Sequence, residues 1–245
     1  MELVLLEWFQ GSLSLVYVLI TLVLSIIFIR KYNGINQKEL LYVAIAFIGL
    51  AGPWFPEAFS FLIIILTNGS LSDEFYLNTA IVIYIIITAF TPVAITFWLH
   101  TTTKLLNLNA RKLILRLILV AFVIFEALFF IALTINLNLI GTFISPFNYQ
   151  ESLIVTIFYL ATMALVLITG ILFGRGSLKS ESSEIKLKGK LILIGLMLFL
   201  VGGFIPYLVF NIVSLIVARV ILVFSILLFY AGFLLPKWIK TLFRV

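Results

Sequence analysis

The sequence predicts an all-α membrane protein: a bundle of seven transmembrane helices with the N-terminus outside and the C-terminus inside. Of the 245 residues, 64% are hydrophobic and only 11% are charged. A soluble domain has about 45–50% apolar and about 25% charged residues, so the composition is typical of a membrane protein. The apolar residues form seven runs of the length that crosses a bilayer, which predicts a single seven-helix domain over residues 1–245.

The first three spans are predicted from hydropathy and from the prolines that interrupt them. Helix 1 covers about Glu7–Ile29, and the acidic segment before it lacks the basic region of a cleavable signal peptide. Helix 2 covers about Glu39–Leu66, interrupted by the sequence GPWFP at Gly52–Pro56. Its two prolines remove two backbone donors, so a kink is expected there. Helix 3 covers about Leu77–Leu99, with a second kink expected at Thr91–Pro92.

Four further spans complete the predicted bundle: Leu113–Ile135, Ser152–Phe173, Leu191–Phe210 and, after a turn at Asn211, a last helix that ends at Leu235. The connection NLNLIGTFISPFNYQE is weakly polar and is expected to lie on the membrane interface as a lid. The connection RGSLKSESSEIKLKGK is the most polar stretch and is expected to be a solvated loop. In the tail 236–245, apolar and basic residues separate at helical spacing, which predicts a short interfacial helix.

The charges outside the spans divide by side and predict the orientation. The side of the N-terminus has acidic residues and no lysine or arginine, namely Glu2, Glu7, Asp73, Glu74 and Glu151. The other side holds every basic residue except Arg219, namely Arg30, Lys31, Lys38, Lys104, Arg111, Lys112, Arg116, Arg175, Lys179, Lys186, Lys188, Lys190, Lys237, Lys240 and Arg244. Basic residues favour the cytoplasmic side, so the N-terminus is expected outside. The net charge of +6 is therefore attributed to cytoplasmic loops and not to nucleic-acid binding.

Charged residues inside the predicted spans form the candidate site. Arg219 in the last helix and Glu126 in helix 4 both lie roughly 20 Å above the inner boundary by helical rise, so they are predicted to pair. Glu57, beyond the kink of helix 2, is expected to be the second neighbour of Arg219. Trp54 at that kink and Asn211 at the start of the last helix complete the predicted set.

Two interpretations of this set stay open. Buried ion pairs often serve packing alone, because desolvation offsets most of the attraction. Ionisable residues inside a membrane also mark functional sites, here a polar pocket in the outer half of the bundle. Two carboxyls around one arginine would leave an excess of negative charge, so one of them is expected to be neutral.

The residue types argue against an enzyme and against a cofactor or metal site. There is no cysteine and only one histidine, His100, and the only aspartate is Asp73. The lack of cysteine disfavours enzymes that use a thiol. A single histidine disfavours zinc hydrolases with several histidine ligands and proteases with a serine–histidine pair, and a single aspartate disfavours prenyltransferases, which need aspartate-rich motifs. The last helix also lacks the central lysine that a retinal protein needs, since Arg219 is the charge at that depth.

The end of the last helix, LLFYAGFLLPKWIKTLF, resembles the last helix of seven-helix sensor regions in prokaryotic signalling proteins, such as membrane histidine kinases. The resemblance implies a receptor-like sensor. Because no output domain follows, signalling is expected to use a separate cytoplasmic partner. A small or lipophilic ligand is expected in the outer half of the bundle. The alternatives are a secondary transporter or channel that uses Glu57, Glu126 and Arg219, and a structural subunit of a membrane complex.

Overall fold

The computed structural model describes residues 2–106, 111–209 and 211–243. Its α-helices are α1 (Leu5–Ile35), α2 (Lys38–Leu50), α3 (Phe55–Leu66), α4 (Asp73–Leu105), α5 (Arg111–Ile135), α6 (Leu153–Leu178), α7 (Ser183–Leu208), α8 (Ile212–Leu234) and α9 (Lys237–Phe243). Short 3-10 turns cover Gly52–Trp54 and Leu137–Leu139, and two strands, β1 (Gly141–Ser145) and β2 (Asn148–Glu151), form a hairpin.

Six of these helices, α1 and α4 to α8, are long and apolar enough to cross a membrane. Helices α2 and α3 together also pass this test, but they are bent by 44° at the break between them. The described chain is thus a helical, multi-pass membrane protein with six spans, or seven if α2 and α3 form one broken span.

The break between α2 and α3 follows from the sequence GPWFP. Pro53 lies within the 3-10 turn that begins at Gly52, and Pro56 lies in the first turn of α3. Neither proline supplies a backbone donor. The kink expected in the second span is therefore confirmed. Helix α4, in contrast, continues as one helix through Pro92, where the hydroxyl of Thr91 donates to the carbonyl of Ile87 at 2.9 Å.

The polar stretch expected as a long solvated loop is mostly helical, which corrects that prediction. Helix α6 continues to Leu178 and α7 begins at Ser183, so only residues 179–182 lie outside a helix. Lysine and glutamate are good helix formers, and Glu184 in the first turn of α7 complements the helix dipole. Polarity indicated solvent correctly here, but it does not by itself indicate a loop.

The connection expected to be a lid forms the antiparallel hairpin β1–β2, with Gly141 opposite Glu151. Phe147, in its turn, is buried, and the hydroxyl of Tyr149 donates to the carbonyl of Pro53 at 3.1 Å. The hairpin therefore contacts the break between α2 and α3. We call this end of the bundle the acidic end, because Glu151 and the N-terminal carboxylates lie there, and the opposite end the basic end.

Helix α1 packs against α2, α3 and α8, and α4 packs against α2 and α3. Helix α8 also packs along α7, whereas α5 packs mainly against α4. At the basic end, α9 follows α8 and buries Ile239, while Trp238 and Leu242 stay 61% and 68% exposed. The predicted tail helix is confirmed over the described residues 237–243, whereas Arg244 and Val245 lie outside them.

Candidate functional site

One face of α1 carries a stripe of polar side chains. Gln10, Ser14, Tyr17, Thr21 and Ser25 recur every three or four residues, which places them on one side of the helix. All five are buried. A polar stripe in a span faces the interior of the protein because lipid offers it no hydrogen bonds. The stripe therefore predisposes α1 to a polar contact with α3 and α8.

Glu57 meets this stripe from the first turn of α3. Its carboxylate accepts three hydrogen bonds: from Gln10 Nε2 at 2.8 Å, from Ser14 Oγ at 2.5 Å and from Arg219 Nη2 at 2.9 Å. The residue is only 8% exposed. Three donors, one of them cationic, compensate a buried carboxylate for much of its lost hydration.

Arg219 supplies the cation from the first half of α8. Its Nε donates to Ser14 Oγ at 3.0 Å, and its Nη2 donates to Glu57. Ser14 thus accepts from the arginine and donates to the carboxylate, so its hydroxyl links the two charged groups. The guanidinium carbon lies 5.5 Å from the centre of the Trp54 ring, which adds a cation–π contact.

Gln10 connects this cluster to the hairpin. The same amide nitrogen that donates to Glu57 also donates to the carbonyl of Phe147 at 2.9 Å. Together with the bond from Tyr149 to Pro53, it ties the hairpin to α1 and to the break between α2 and α3. The hairpin, α1, α3 and α8 therefore form one hydrogen-bonded unit at the acidic end.

The titratable groups of the hairpin are shifted toward their neutral forms. Burial raises the pKa of Glu151 to about 7. Burial also raises the pKa of Tyr149 well above its usual value, and the carboxyls of Glu57 and Glu151 raise it further. Tyr149 therefore stays a neutral phenol that can donate to Pro53 throughout the physiological range.

The structure brings together three of the predicted site residues, Trp54, Glu57 and Arg219, and leaves two apart. The expected pairing of Arg219 with Glu126 is wrong: Arg219 pairs with Glu57, and no ion pair joins it to Glu126 among the described residues. Glu126 lies on α5, away from α8. Asn211 is exposed and caps α8 by accepting from the backbone of Ser214 at 2.8 Å.

With one carboxylate and one cation, the cluster is neutral as a pair, so the expected excess of negative charge does not arise. The described residues contain no group of three or more histidines or carboxylates that could hold a metal ion. The geometry links four segments, the hairpin, α1, α3 and α8, through one set of hydrogen bonds. A movement of one segment would therefore change the hydrogen bonding of the others.

Sequence reasoning missed Gln10, Ser14 and the hairpin carbonyl of Phe147. The first two had a detectable signal, since they begin the polar stripe that recurs every three or four residues along α1. The carbonyl had none, because any residue offers one.

No protein-family model matches the chain, and no curated protein is similar to it in sequence.

Proposed function

We propose that the protein is a receptor-like sensor of the cell membrane whose ligand-responsive element is the hairpin. The observation that carries this proposal is the amide of Gln10, which donates both to Phe147 of the hairpin and to Glu57 of the intramembrane ion pair. A small or lipophilic ligand that moves the hairpin would change the hydrogen bonding of Glu57, and through Arg219 the position of α8.

The proposed topology has seven spans, with α2 and α3 crossing the bilayer as one broken helix. This count brings the two termini to opposite sides, and the concentration of basic residues at one end supports an outside N-terminus. Reporters fused at Met1 and after Val245 test the topology directly. A C-terminal reporter that reads outside would overturn it.

Signal output is proposed at the basic end, through a separate cytoplasmic partner. Helix α8 continues without a break from Arg219 to Leu234, and α9 follows after a short turn. The side chain of Lys240 on α9 forms an ion pair with Glu184 on α7. A shift of α8 would therefore change how α9 lies against α7, which is the surface nearest to the cytoplasm.

The chain has no cysteine, so pairs of introduced cysteines can be spin-labelled without a background. One pair, Thr142→Cys with Leu71→Cys, reports on the hairpin, and a second pair, Lys179→Cys with Thr241→Cys, reports on α9. Each pair is measured in the native background and with Gln10→Leu, which cuts the link between the hairpin and Glu57.

If the protein is a sensor of the proposed kind, Gln10→Leu should change the distances between the two spin labels in both pairs, at the hairpin and at α9. The matched control is Gln150→Leu, an exposed glutamine of the hairpin, which should change neither. A change confined to the hairpin pair would contradict transmission through α8 and would favour a structural subunit of a membrane complex.

One observation favours a second candidate, a secondary transporter. The break between α2 and α3 lies directly beside the ion pair, and broken helices commonly form the binding sites of such transporters. This candidate predicts solute or proton flux across reconstituted vesicles that is lost in Glu57→Gln. Vesicles without flux, together with coupled movements at the two ends, would decide for the sensor.

A further inference from the structure

Glu126 is a carboxyl inside a membrane-spanning helix, and the described residues offer it no hydrogen-bond or ion-pair partner. By helical rise it lies roughly 22 Å from Arg111 at the start of α5, which is well within the hydrocarbon layer. A carboxyl at this depth is costly without a partner, and such groups normally face protein or water. The requirement for a partner therefore extends beyond the residues that the structure describes.

Helix α5 has surface available for such a partner. Only 17% of the residues in its most apolar stretch are buried, against 28% to 44% in the other spans. Its packed side consists of Phe122, Phe125 and Phe129, and the first two contact Phe158 of α6. Glu126 lies beside this packed side and is half-buried, whereas most of the remaining circumference is exposed and open to lipid or to another protein.

The residues in line with Glu126 have a regular spacing. Leu119, Val123, Glu126 and Phe130 follow one another at intervals of four, three and four residues, and we call them the α5 seam. Leu119, Val123 and Phe130 are 50%, 58% and 46% exposed. The seam lies about 90° around the helix from the packed phenylalanines. Its spacing is that of the contact positions in two-stranded left-handed helix pairs.

We infer that the α5 seam binds the same seam of a second copy of this chain, in a parallel two-fold contact. Two copies in one membrane share their orientation, so their seams lie at the same depth. The two-fold axis then sets Glu126 opposite Glu126. A neutral carboxylic acid both donates and accepts, so each satisfies the other. A single polar residue in such a seam also fixes the register of the pair.

Two basic residues continue the seam toward the basic end, Lys112 and Arg116, and they would face their own copies across the axis. Both lie near the start of α5, where long basic side chains reach the membrane surface and separate in water. Their repulsion is screened there by salt. The contact is therefore set by the apolar seam and by Glu126.

Disulfide cross-linking in native membranes tests the contact, because the chain itself has no cysteine. Val123→Cys and Phe130→Cys place a thiol in the seam. Leu128→Cys is the matched control: it is 52% exposed at nearly the same depth, but points about 170° away from the seam. With a mild oxidant, the two seam variants should give a product of twice the chain mass and the control should not.

The role of Glu126 is tested in the Val123→Cys background. Glu126→Leu, which removes the hydrogen bond, should lower the cross-linked fraction several-fold. Glu126→Gln, which can still donate and accept, should keep it. Equal cross-linking at Leu128, absence of a product at both seam positions, a product of another mass, or a full yield with Glu126→Leu would each overturn the inference.

Discussion

Replacing Arg219 by leucine removes the cation of the buried cluster and leaves its carboxylate in place. Glu57 is 8% exposed, so solvent does not replace the lost partner. Removing one member of a buried ion pair typically costs about 3–5 kcal/mol. Two neutral donors, Gln10 and Ser14, remain on the carboxylate. We therefore expect a loss near the lower end, about 3 kcal/mol of unfolding free energy.

The double change Arg219→Leu with Glu57→Leu should recover about 2 kcal/mol of this loss, because no unpaired charge remains. A residual cost of about 1 kcal/mol is expected from donors that lose their acceptor. It stays small because Gln10 keeps its bond to Phe147. Ser14 can donate instead to the backbone carbonyl one turn earlier in α1.

The control for this experiment is Arg219→Leu with Glu126→Leu, which removes the carboxyl that is not the partner. It should stay as unstable as the single variant or become less stable. Reversible unfolding in mixed micelles, followed by tryptophan fluorescence, measures the native protein, the single variants Arg219→Leu and Glu57→Leu, and the two double variants, since Trp54 lies against Arg219. Recovery with Glu126→Leu but not with Glu57→Leu would refute the observed pairing, and strictly additive losses at Arg219 and Glu57 would refute the coupling.

Three further predictions address the hairpin, the tail and the packing of α2. Burial favours the protonated form of Glu151, so it contributes stability below pH 4.5 that is lost as the pH rises to about 7, up to about 3 kcal/mol. A thermal-melting profile of Glu151→Gln should be flat over this window, and a native-like slope would contradict the assignment. A peptide of residues 236–245 should bind anionic vesicles more tightly than neutral ones and should be released by salt. Equal binding to both would count against an interfacial tail. A methyl group at Gly49 would overlap Ala94 of α4, so Gly49→Ala should cost about 1–3 kcal/mol. Gly34→Ala has open space around its new methyl group and should be neutral within about 1 kcal/mol by the same melting assay. A neutral Gly49→Ala would argue against the close approach of α2 and α4.

The six long apolar helices could be predicted because hydropathy and helix-breaking residues act locally. The sequence GPWFP lacks two donors wherever it lies, and the break between α2 and α3 follows from that alone. The tail helix was predictable for a similar reason, since its pattern is contained in a few residues. The hairpin was not, because its strands are short and its anchoring bonds go to the carbonyl of Pro53 and the amide of Gln10, which are distant in sequence.

The pairing of the charges shows where sequence reasoning ended. Depth along a helix is readable from the sequence, and it correctly placed Arg219 well inside its span. Which helices are neighbours depends on the packing of the whole bundle, and α8 lies against α1 and not against α5. Glu57 became the partner because α3 presents it to the polar face of α1.

The spacing of the cluster along the chain has a consequence for biogenesis. Arg219 follows Glu57 by 162 residues, whereas Gln10 and Ser14 precede it by 47 and 43. During synthesis, the two neutral donors are therefore available when Glu57 enters the membrane, and its cation arrives only with the last span. Until then Gln10 and Ser14 are the only two of its three hydrogen-bond donors that have been made, and the arrival of α8 completes the unit that ties the acidic end together. Insertion of the last span would thus be the step that commits the earlier helices to their final arrangement.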